Sequence, residues 1–105
     1  MIPRQAITEV SQRIAREFQP ERIILFGSYA YRAPTEDSDV DLLVILQFEG
    51  KAFRKSVEIL NRVNPRFPID LLARRPDDTA RRYALGDPLI REALDKGVVL
   101  YERAN

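Results

Sequence analysis

An apolar segment that begins with two aspartates restricts the possible folds of this chain more than any other feature. Residues 39–46 read Asp-Val-Asp-Leu-Leu-Val-Ile-Leu, which is typical of a buried strand, and we predict a strand over residues 39–47. Side chains two positions apart on a strand point to the same face, so Asp39 and Asp41 would lie side by side. Like charges repel, and aspartate is disfavoured inside a sheet. Either the strand starts late and both acids are solvated at its edge, or a divalent cation lies between them.

The rest of the chain supplies helices and further strands around this segment. Hydrophobic spacing and turn-forming residues predict a first helix with Pro3 in its first turn and Phe18 near its end, strands over 22–26, 67–72 and 98–101, and helices over 51–63, from Pro76, and from Asp87 to a C-cap at Gly97. Residues 33–38 are turn-formers and predict a loop. The expected fold class is α/β (α+β), a small mixed β-sheet flanked by helices in one α/β layer pair. We expect residues 1–105 to form a single domain.

The composition excludes several classes of enzyme. The 105 residues include no histidine and no cysteine, so a Ser–His–Asp or Cys–His nucleophile is impossible, as is a zinc site of imidazole or thiolate ligands. A general base must be a carboxylate, a tyrosine, a lysine or the terminal amine. A bound metal would be a hard, oxygen-seeking cation such as Mg²⁺.

Charge and hydropathy limit the possible partners and locations. No apolar run approaches the roughly 18 residues needed to span a bilayer, and the first residues do not form a signal peptide. We therefore expect a cytoplasmic protein without a membrane partner. The net charge of +1 argues against direct nucleic-acid binding.

Two further positions are candidates for chemistry. Asp70 lies between apolar residues of the third predicted strand. If that strand lies beside the second, three carboxylates converge, enough to hold two metal ions about 3.5–4 Å apart; otherwise Asp70 is an acid on a solvent face. Gly27 and Ser28 follow a buried strand and precede a predicted helical turn, which lets backbone N–H groups approach a phosphate. Most Gly-Ser pairs, however, are ordinary turns.

In combination these residues resemble the active-site signature of the DNA polymerase β-like nucleotidyltransferase superfamily, most closely its minimal nucleotidyltransferase (MNT) domains. The resemblance is carried by Gly27-Ser28, by Ser38-Asp39-x-Asp41-Leu42, whose Asp39 follows Ser28 after ten residues, by the later strand residue Asp70, and by the order of elements over nearly the whole chain. After Gly-Ser-x-Ala the family usually has Arg and then Gly, whereas this chain has Tyr31 and then Arg32.

The resemblance implies a reaction and roles for these residues. It implies Mg²⁺-dependent transfer of a nucleoside monophosphate, AMP from ATP, with release of pyrophosphate at a two-metal site. Asp39 and Asp41 would ligate the metal that accompanies the nucleotide. Asp70 would join them at the second metal and help to deprotonate the attacking hydroxyl. The nucleotide phosphates would be held by Gly27 and Ser28, with Arg32 as the displaced family arginine.

The resemblance also implies a partner. Family members of this size usually act as antitoxins of a HEPN-type toxin, and some transfer AMP to a tyrosine of that toxin. We therefore expect the acceptor to be a hydroxyl of a protein supplied in trans. The alternative is an MNT-fold antitoxin of weak or no activity that acts by binding its toxin, and Tyr31 and Arg32 favour it.

A phosphatase of the haloacid-dehalogenase type is a third candidate, because Asp-x-Asp also opens the nucleophile motif of that family. There the first aspartate ends an apolar strand, whereas here the strand follows the pair and residue 43 is Leu. We therefore reject it.

Two other patterns have mainly structural interpretations. Four arginines form a basic run that is typical of a solvated surface, with a toxin contact or ATP phosphates as alternatives: Arg74, Arg75, Arg81 and Arg82. The helical stripe that includes Ile7 and Ile14 is either core or a contact in a homo-oligomer.

Overall fold

The computed structural model describes residues 1–104. In chain order its elements are α1 (Arg4–Phe18), β1 (Arg22–Phe26), α2 (Ser28–Tyr31), β2 (Val40–Ile45), α3 (Ala52–Val63), β3 (Ile69–Arg74), α4 (Pro76–Ala84), α5 (Pro88–Lys96) and β4 (Val98–Glu102). These elements match the predicted order. None of the helices in this part of the chain has the length and apolar character that a bilayer-spanning helix requires.

The four strands form one mixed sheet in the order β3-β2-β1-β4. β1 lies at its centre and is antiparallel to both β2 and β4, whereas β2 and β3 are parallel. The predicted fold class, a small mixed sheet flanked by helices, is confirmed. The topology leaves β3 and β4 as edge strands, and this places one side of β3 next to the site described below.

Helices cover both faces of the sheet, so the prediction of a single α/β layer pair is wrong. On one face Ile7 of α1 and Ile59 of α3 are buried against alternate residues of β1 and β2. On the other face Ile90 and Ala93 of α5 pack against the intervening residues, among them Leu43. Because both faces of β1 and β2 are apolar, each needs a helical cover to exclude water. The α1 stripe is therefore core.

Several strand ends differ by one or two residues from the sequence prediction, and the starts of β2 and β3 concern candidate residues. β2 begins at Val40, so Asp39 lies just before the strand and is exposed. β3 begins at Ile69 and continues to Arg74 instead of ending at residue 72. Pro68 precedes it because proline has no N–H to donate to a strand ladder, although its carbonyl accepts a bond from Val40 N–H at 3.3 Å.

Candidate functional site

Most of the candidate residues lie where β1 ends and where β2 and β3 begin, at the same end of three neighbouring strands. We call this end the site edge of the sheet. Phe26, the last residue of β1, is paired with Asp41, the second residue of β2. Asp41 is also in register with Asp70, the second residue of β3. Directly paired residues on neighbouring strands point to the same face, so the structure places Asp41 and Asp70 side by side, as predicted for adjacent strands.

Gly27 lies directly against the Asp41 carboxylate. Its φ of 74° and ψ of −152° belong to a region that is open essentially to glycine alone. A Cβ atom at this position would collide with the Oδ2 atom of Asp41. The backbone after β1 therefore approaches the carboxylate more closely than any other residue type would allow, which is the physical reason for the glycine in the Gly-Ser pair.

The chain turns into the short helix α2 directly after this contact. The Gly27 carbonyl accepts bonds from the N–H groups of Ala30 and Tyr31 at 3.0 and 3.2 Å. Ser28 is the first residue of the helix and is half-buried. The geometry thus keeps Gly27 and Ser28 together with Asp41 at the end of β1, and their predicted role in binding phosphate stays a prediction.

Burial and repulsion between carboxylates together raise the pKa at the centre of this edge. Burial raises the pKa of Asp41 to about 6, with further increases from the charges of Asp70, Asp39 and Glu92 that exceed the opposing effect of Arg32. Asp39 and Asp70 themselves are exposed. Asp41 is thus the partly desolvated centre of an acidic group, and its ionised form lacks sufficient positive charge nearby.

The oxygen ligands at this edge are chemically suited to Mg²⁺. Mg²⁺ binds through one or two carboxylates together with substrate phosphates and water, and a cation here would offset the repulsion that raises the Asp41 pKa. Within residues 1–104, no three carboxylates already lie close enough together to hold a metal ion. Asp39 and Asp70 thus lie near enough to Asp41 to raise its pKa, but the three carboxylates do not form a ready-made metal site in the described residues.

Glu92 of α5 was not predicted as part of the site. It accepts a hydrogen bond from the Arg32 guanidinium at 3.0 Å, and its charge contributes to the raised pKa of Asp41. The only sequence signal is an acid that lies between two buried residues of α5, Ile90 and Ala93. That signal does not identify the sheet edge, because the packing of α5 on the sheet brings Glu92 there.

Arg32 and Tyr31 lie at the rim of the site. Arg32 follows α2, is largely exposed, and stacks over the Tyr31 ring at 5.5 Å while it pairs with Glu92. The Tyr31 hydroxyl is buried and, within residues 1–104, makes no hydrogen bond of normal geometry. Burial and the neighbouring Glu92 carboxylate raise the pKa of Tyr31. Arg32 is close enough to Asp41 to influence its charge, but its direct partner is Glu92.

The sequence of this chain matches a family of known proteins. The family model described as "Nucleotidyltransferase domain" matches residues 7–100. A search of curated proteins gave no significant match.

Several solved structures share the fold. One, from Sulfolobus solfataricus and described as a nucleotidyltransferase, has a TM-score of 0.66 and 20% identity and covers 94% of this chain and 79% of its own. A toxin–antitoxin structure with AMP-PNP has a TM-score of 0.59 and 17% identity, and a doubly substituted toxin–antitoxin MntA–HpeT has 0.58 and 14%. Each of these two alignments covers 92% of this chain and 74% of the other protein's chain. At these identities the similarity shows a common fold.

Proposed function

The chain belongs to the nucleotidyltransferase domain family, and from that membership we propose that it transfers AMP from ATP to a hydroxyl of a protein acceptor. The observation that carries the proposal is the contact between Gly27 and the Asp41 carboxylate, with Asp70 in register beside it. A backbone that can approach phosphates and a group of carboxylates that needs a cation lie next to each other there. We also propose that residues 1–105 form one minimal domain.

We assign the acidic residues to the reacting end of the nucleotide. Asp39, Asp41 and Asp70 would hold Mg²⁺, which when bound would neutralise phosphate charge and favour in-line displacement. The acceptor oxygen would form a bond to the α-phosphorus while the bond to the bridging oxygen breaks and pyrophosphate leaves. Asp70, exposed at the start of β3, would take the proton of the acceptor hydroxyl and release it to solvent.

The residues after β1 would hold the rest of the triphosphate. Backbone N–H groups of the Gly27-Ser28 turn and the Ser28 hydroxyl would donate to phosphate oxygens. Arg32 lies at the rim, where its exposed guanidinium could exchange Glu92 for a phosphate oxygen. An exposed ion pair of this kind is worth at most about 1 kcal/mol, so the exchange would cost little.

The biological role that we propose is that of an antitoxin, acting in the cytoplasm on a HEPN-type toxin that supplies the acceptor hydroxyl. Two solved structures with this fold are of toxin–antitoxin systems, and one of them contains AMP-PNP. These similarities support a toxin as partner and ATP as nucleotide.

A second candidate function is neutralisation of the toxin by binding alone. It is favoured by one observation: Tyr31 stands where the family usually has arginine, and Arg32 is engaged by Glu92. In this case the fold would be retained as a binding surface and the nucleotide chemistry would be weak or lost.

Transfer of label from α-³²P-ATP to the toxin distinguishes the two functions. The proposed toxin partner is incubated with ATP, Mg²⁺ and either the wild type or the Asp39→Asn, Asp41→Asn variant. We expect labelled toxin with the wild type, a loss of at least about 100-fold with the variant, and no label from γ-³²P-ATP. The matched control is Glu9→Gln with Glu49→Gln, two exposed acids outside the site.

The opposite result would contradict the enzymatic proposal. If the toxin is neutralised without acquiring label, or if labelling is unchanged in the Asp39→Asn, Asp41→Asn variant, the protein does not act by nucleotidyl transfer at these aspartates. Neutralisation without label would support the binding-only function.

A further inference from the structure

A groove runs along the open edge of β3, between α3 and α4. We call it the β3-edge groove; its volume is about 650 Å³. Asp70 lies at one end of the groove. The groove is also lined by apolar and basic residues: Phe53 and Val57 of α3, and Arg74, Arg75 and Arg81 of the β3–α4 segment. The groove therefore combines an apolar wall, a basic end and a carboxylate of the proposed active site.

The backbone of β3 presents hydrogen-bonding groups to this groove. The carbonyls of Pro68 and Arg74 accept bonds from Val40 and Leu46 N–H groups, at 3.3 and 3.0 Å, so the even-numbered residues of β3 bond towards β2. Because bonding direction alternates along a parallel strand, the odd-numbered residues face outwards. Ala73 confirms this, since its N–H donates to Ser56 Oγ at 2.9 Å. The peptide groups of Leu71 consequently face the groove, where an added strand could pair with them.

The basic end of the groove carries positive charge without a carboxylate partner. Arg74 Nη1 donates to the Ala73 carbonyl at 2.9 Å, while its Nε is buried and makes no hydrogen bond within residues 1–104. Arg75 binds the carbonyl of Gly50 and stacks on the Phe48 ring. Neither guanidinium forms a salt bridge in the described part of the chain. Guanidinium groups without a carboxylate partner form strong charge-assisted hydrogen bonds with an acidic group, so this end of the groove favours one.

Other arginines of the groove are already neutralised in part. Arg81 and Arg82 bind the two oxygens of Asp78 at 2.6 and 2.9 Å. The unmatched charge is therefore concentrated at Arg74 and Arg75, at the carboxyl end of β3. This location sets where an acidic group would bind.

The groove and the proposed phosphate loop lie on opposite sides of the aspartates. Across the sheet, Gly27 follows β1, Asp41 lies on β2, Asp70 on the edge strand β3, and the groove beyond it. A triphosphate held at Gly27 would thus reach Asp70 from one side and a group in the groove would reach it from the other. In-line displacement requires this opposed arrangement of acceptor and leaving group.

From these contacts we propose that the β3-edge groove binds the acceptor as an extended, acidic segment of the partner protein, which pairs with β3 and presents its hydroxyl at Asp70. The inference rests on the proposed function, since it names the acceptor of that reaction. Asp70 and Arg74 are four residues apart, or about 13 Å along a strand, so acidic side chains are expected about four positions from the acceptor hydroxyl. Phe53, which is 77% exposed, would contact an apolar side chain of the segment.

Binding of designed peptides tests the groove without requiring turnover. The probe is a fluorescein-labelled peptide with a central Tyr, Val-Gln-Val on each side and two Glu at each end, compared with the same peptide carrying Lys instead of Glu. By fluorescence anisotropy we expect the acidic peptide to bind about tenfold more tightly than the basic one. Arg74→Glu should abolish or reverse this preference, whereas Arg16→Glu, an exposed residue of α1, should preserve it.

Two further arms keep the test independent of how well the variants fold. An acidic peptide with alternate backbone nitrogens methylated cannot donate to β3 and should bind at least about tenfold more weakly to the wild type. A ten-nucleotide oligouridylate should not displace the acidic peptide. Equal binding of the acidic and basic peptides, no effect of methylation, a preference unchanged in a folded Arg74→Glu variant, or displacement by the RNA would each overturn the proposal.

Failure of this inference is separable from failure of the proposed function. Metal-dependent ATP binding is measured on the same preparation. If ATP binds but the acidic peptide shows no preference, the groove is not the acceptor site. If the acidic peptide binds as expected but ATP does not, the groove is a binding surface and the nucleotidyltransferase proposal fails.

Discussion

Among single residues, Asp41 connects the fold most directly to the proposed chemistry. Its place in β2 is determined by apolar neighbours that are fully buried, which brings its carboxylate into a partly desolvated position next to Asp70. Its pKa of about 6 reflects the free-energy cost of ionising the Asp41 carboxyl group in this position. The residue that would bind a cation is thus destabilising in the absence of one.

The raised pKa of Asp41 predicts a specific pH dependence of the free energy of unfolding in EDTA. The folded-state pKa of Asp41 is about 6 and the unfolded value is about 3.9, so between these values the folded state binds more protons and stability falls as pH rises. Asp41→Asn removes the charge with little change in shape. We expect the variant to be more stable than the wild type at pH 7.5, by on the order of 1 kcal/mol after allowance for solvent exposure, and equally stable near pH 4.

Urea unfolding from pH 4 to pH 8 measures this difference. Added Mg²⁺ should raise the stability of the wild type at pH 7.5 and leave the Asp41→Asn variant nearly unchanged. The interpretation fails if the stability difference between the two proteins is independent of pH, or if the variant is the less stable of the two at pH 7.5.

The sequence was sufficient to predict that Asp41 and Asp70 lie side by side, but not the rest of their surroundings. Spacing of two along an apolar segment predicted Asp39 and Asp41 on one face of a strand, whereas β2 begins at Val40 and leaves Asp39 outside it; an acid in a second apolar run identified Asp70. Both signals are local, because strand geometry alternates with a period of two. Glu92 reaches the same edge through the packing of α5 on the sheet, a long-range contact that no local pattern specifies.

Among the helices and strands, the pairing of α3 with β3 holds the edge of the sheet in place. Ser56 of α3 accepts a hydrogen bond from Ala73 N–H at 2.9 Å and donates one to the Ala52 carbonyl, also at 2.9 Å. It therefore occupies one outward peptide group of β3 and anchors the helix that forms the apolar wall of the β3-edge groove. Ser56 and Ala73 are both buried.

Replacement of Ser56 measures the strength of this link. Ser56→Ala would leave the Ala73 N–H buried without a partner, and we expect it to lower the free energy of unfolding by about 1–3 kcal/mol. Ser11→Ala is the matched control, since Ser11 is equally buried but only donates to the Thr8 carbonyl of its own helix, and it should cost less than about 1 kcal/mol. Equal losses in urea unfolding would show that the bond to Ala73 contributes little.

The elements themselves were largely predictable, whereas their arrangement was only partly so. Helical spacing identified α1 and α3, and proline and glycine positions delimited α4 and α5. The predicted number of helical layers was wrong, because the sequence of a short apolar strand looks the same whether helices cover one or both of its faces. The predicted start of β2 is one residue too early, because the alternating sequence pattern extends to Asp39 whereas the strand begins at Val40.

At the scale of the whole molecule, the strand order arranges three features one after another across the sheet. The Gly27-Ser28 turn, the aspartates and the β3-edge groove follow each other from the centre of the sheet to its open side. The protein needs neither histidine nor cysteine for such a site, because nucleotidyl transfer depends on positioning and charge neutralisation. An acceptor supplied by a partner is consistent with an open edge strand beside Asp70.

The central claim is that Asp41 and its neighbours form a cation-dependent nucleotide site, and isothermal titration calorimetry with ATP tests it most directly. Titrations of the wild type, Asp41→Asn and the control Glu9→Gln are carried out in Mg²⁺ and in EDTA. We predict binding to the wild type and to Glu9→Gln only in Mg²⁺, and no measurable binding to Asp41→Asn in either buffer. Equal binding in EDTA, unchanged binding to Asp41→Asn, or no binding to the wild type would contradict the account.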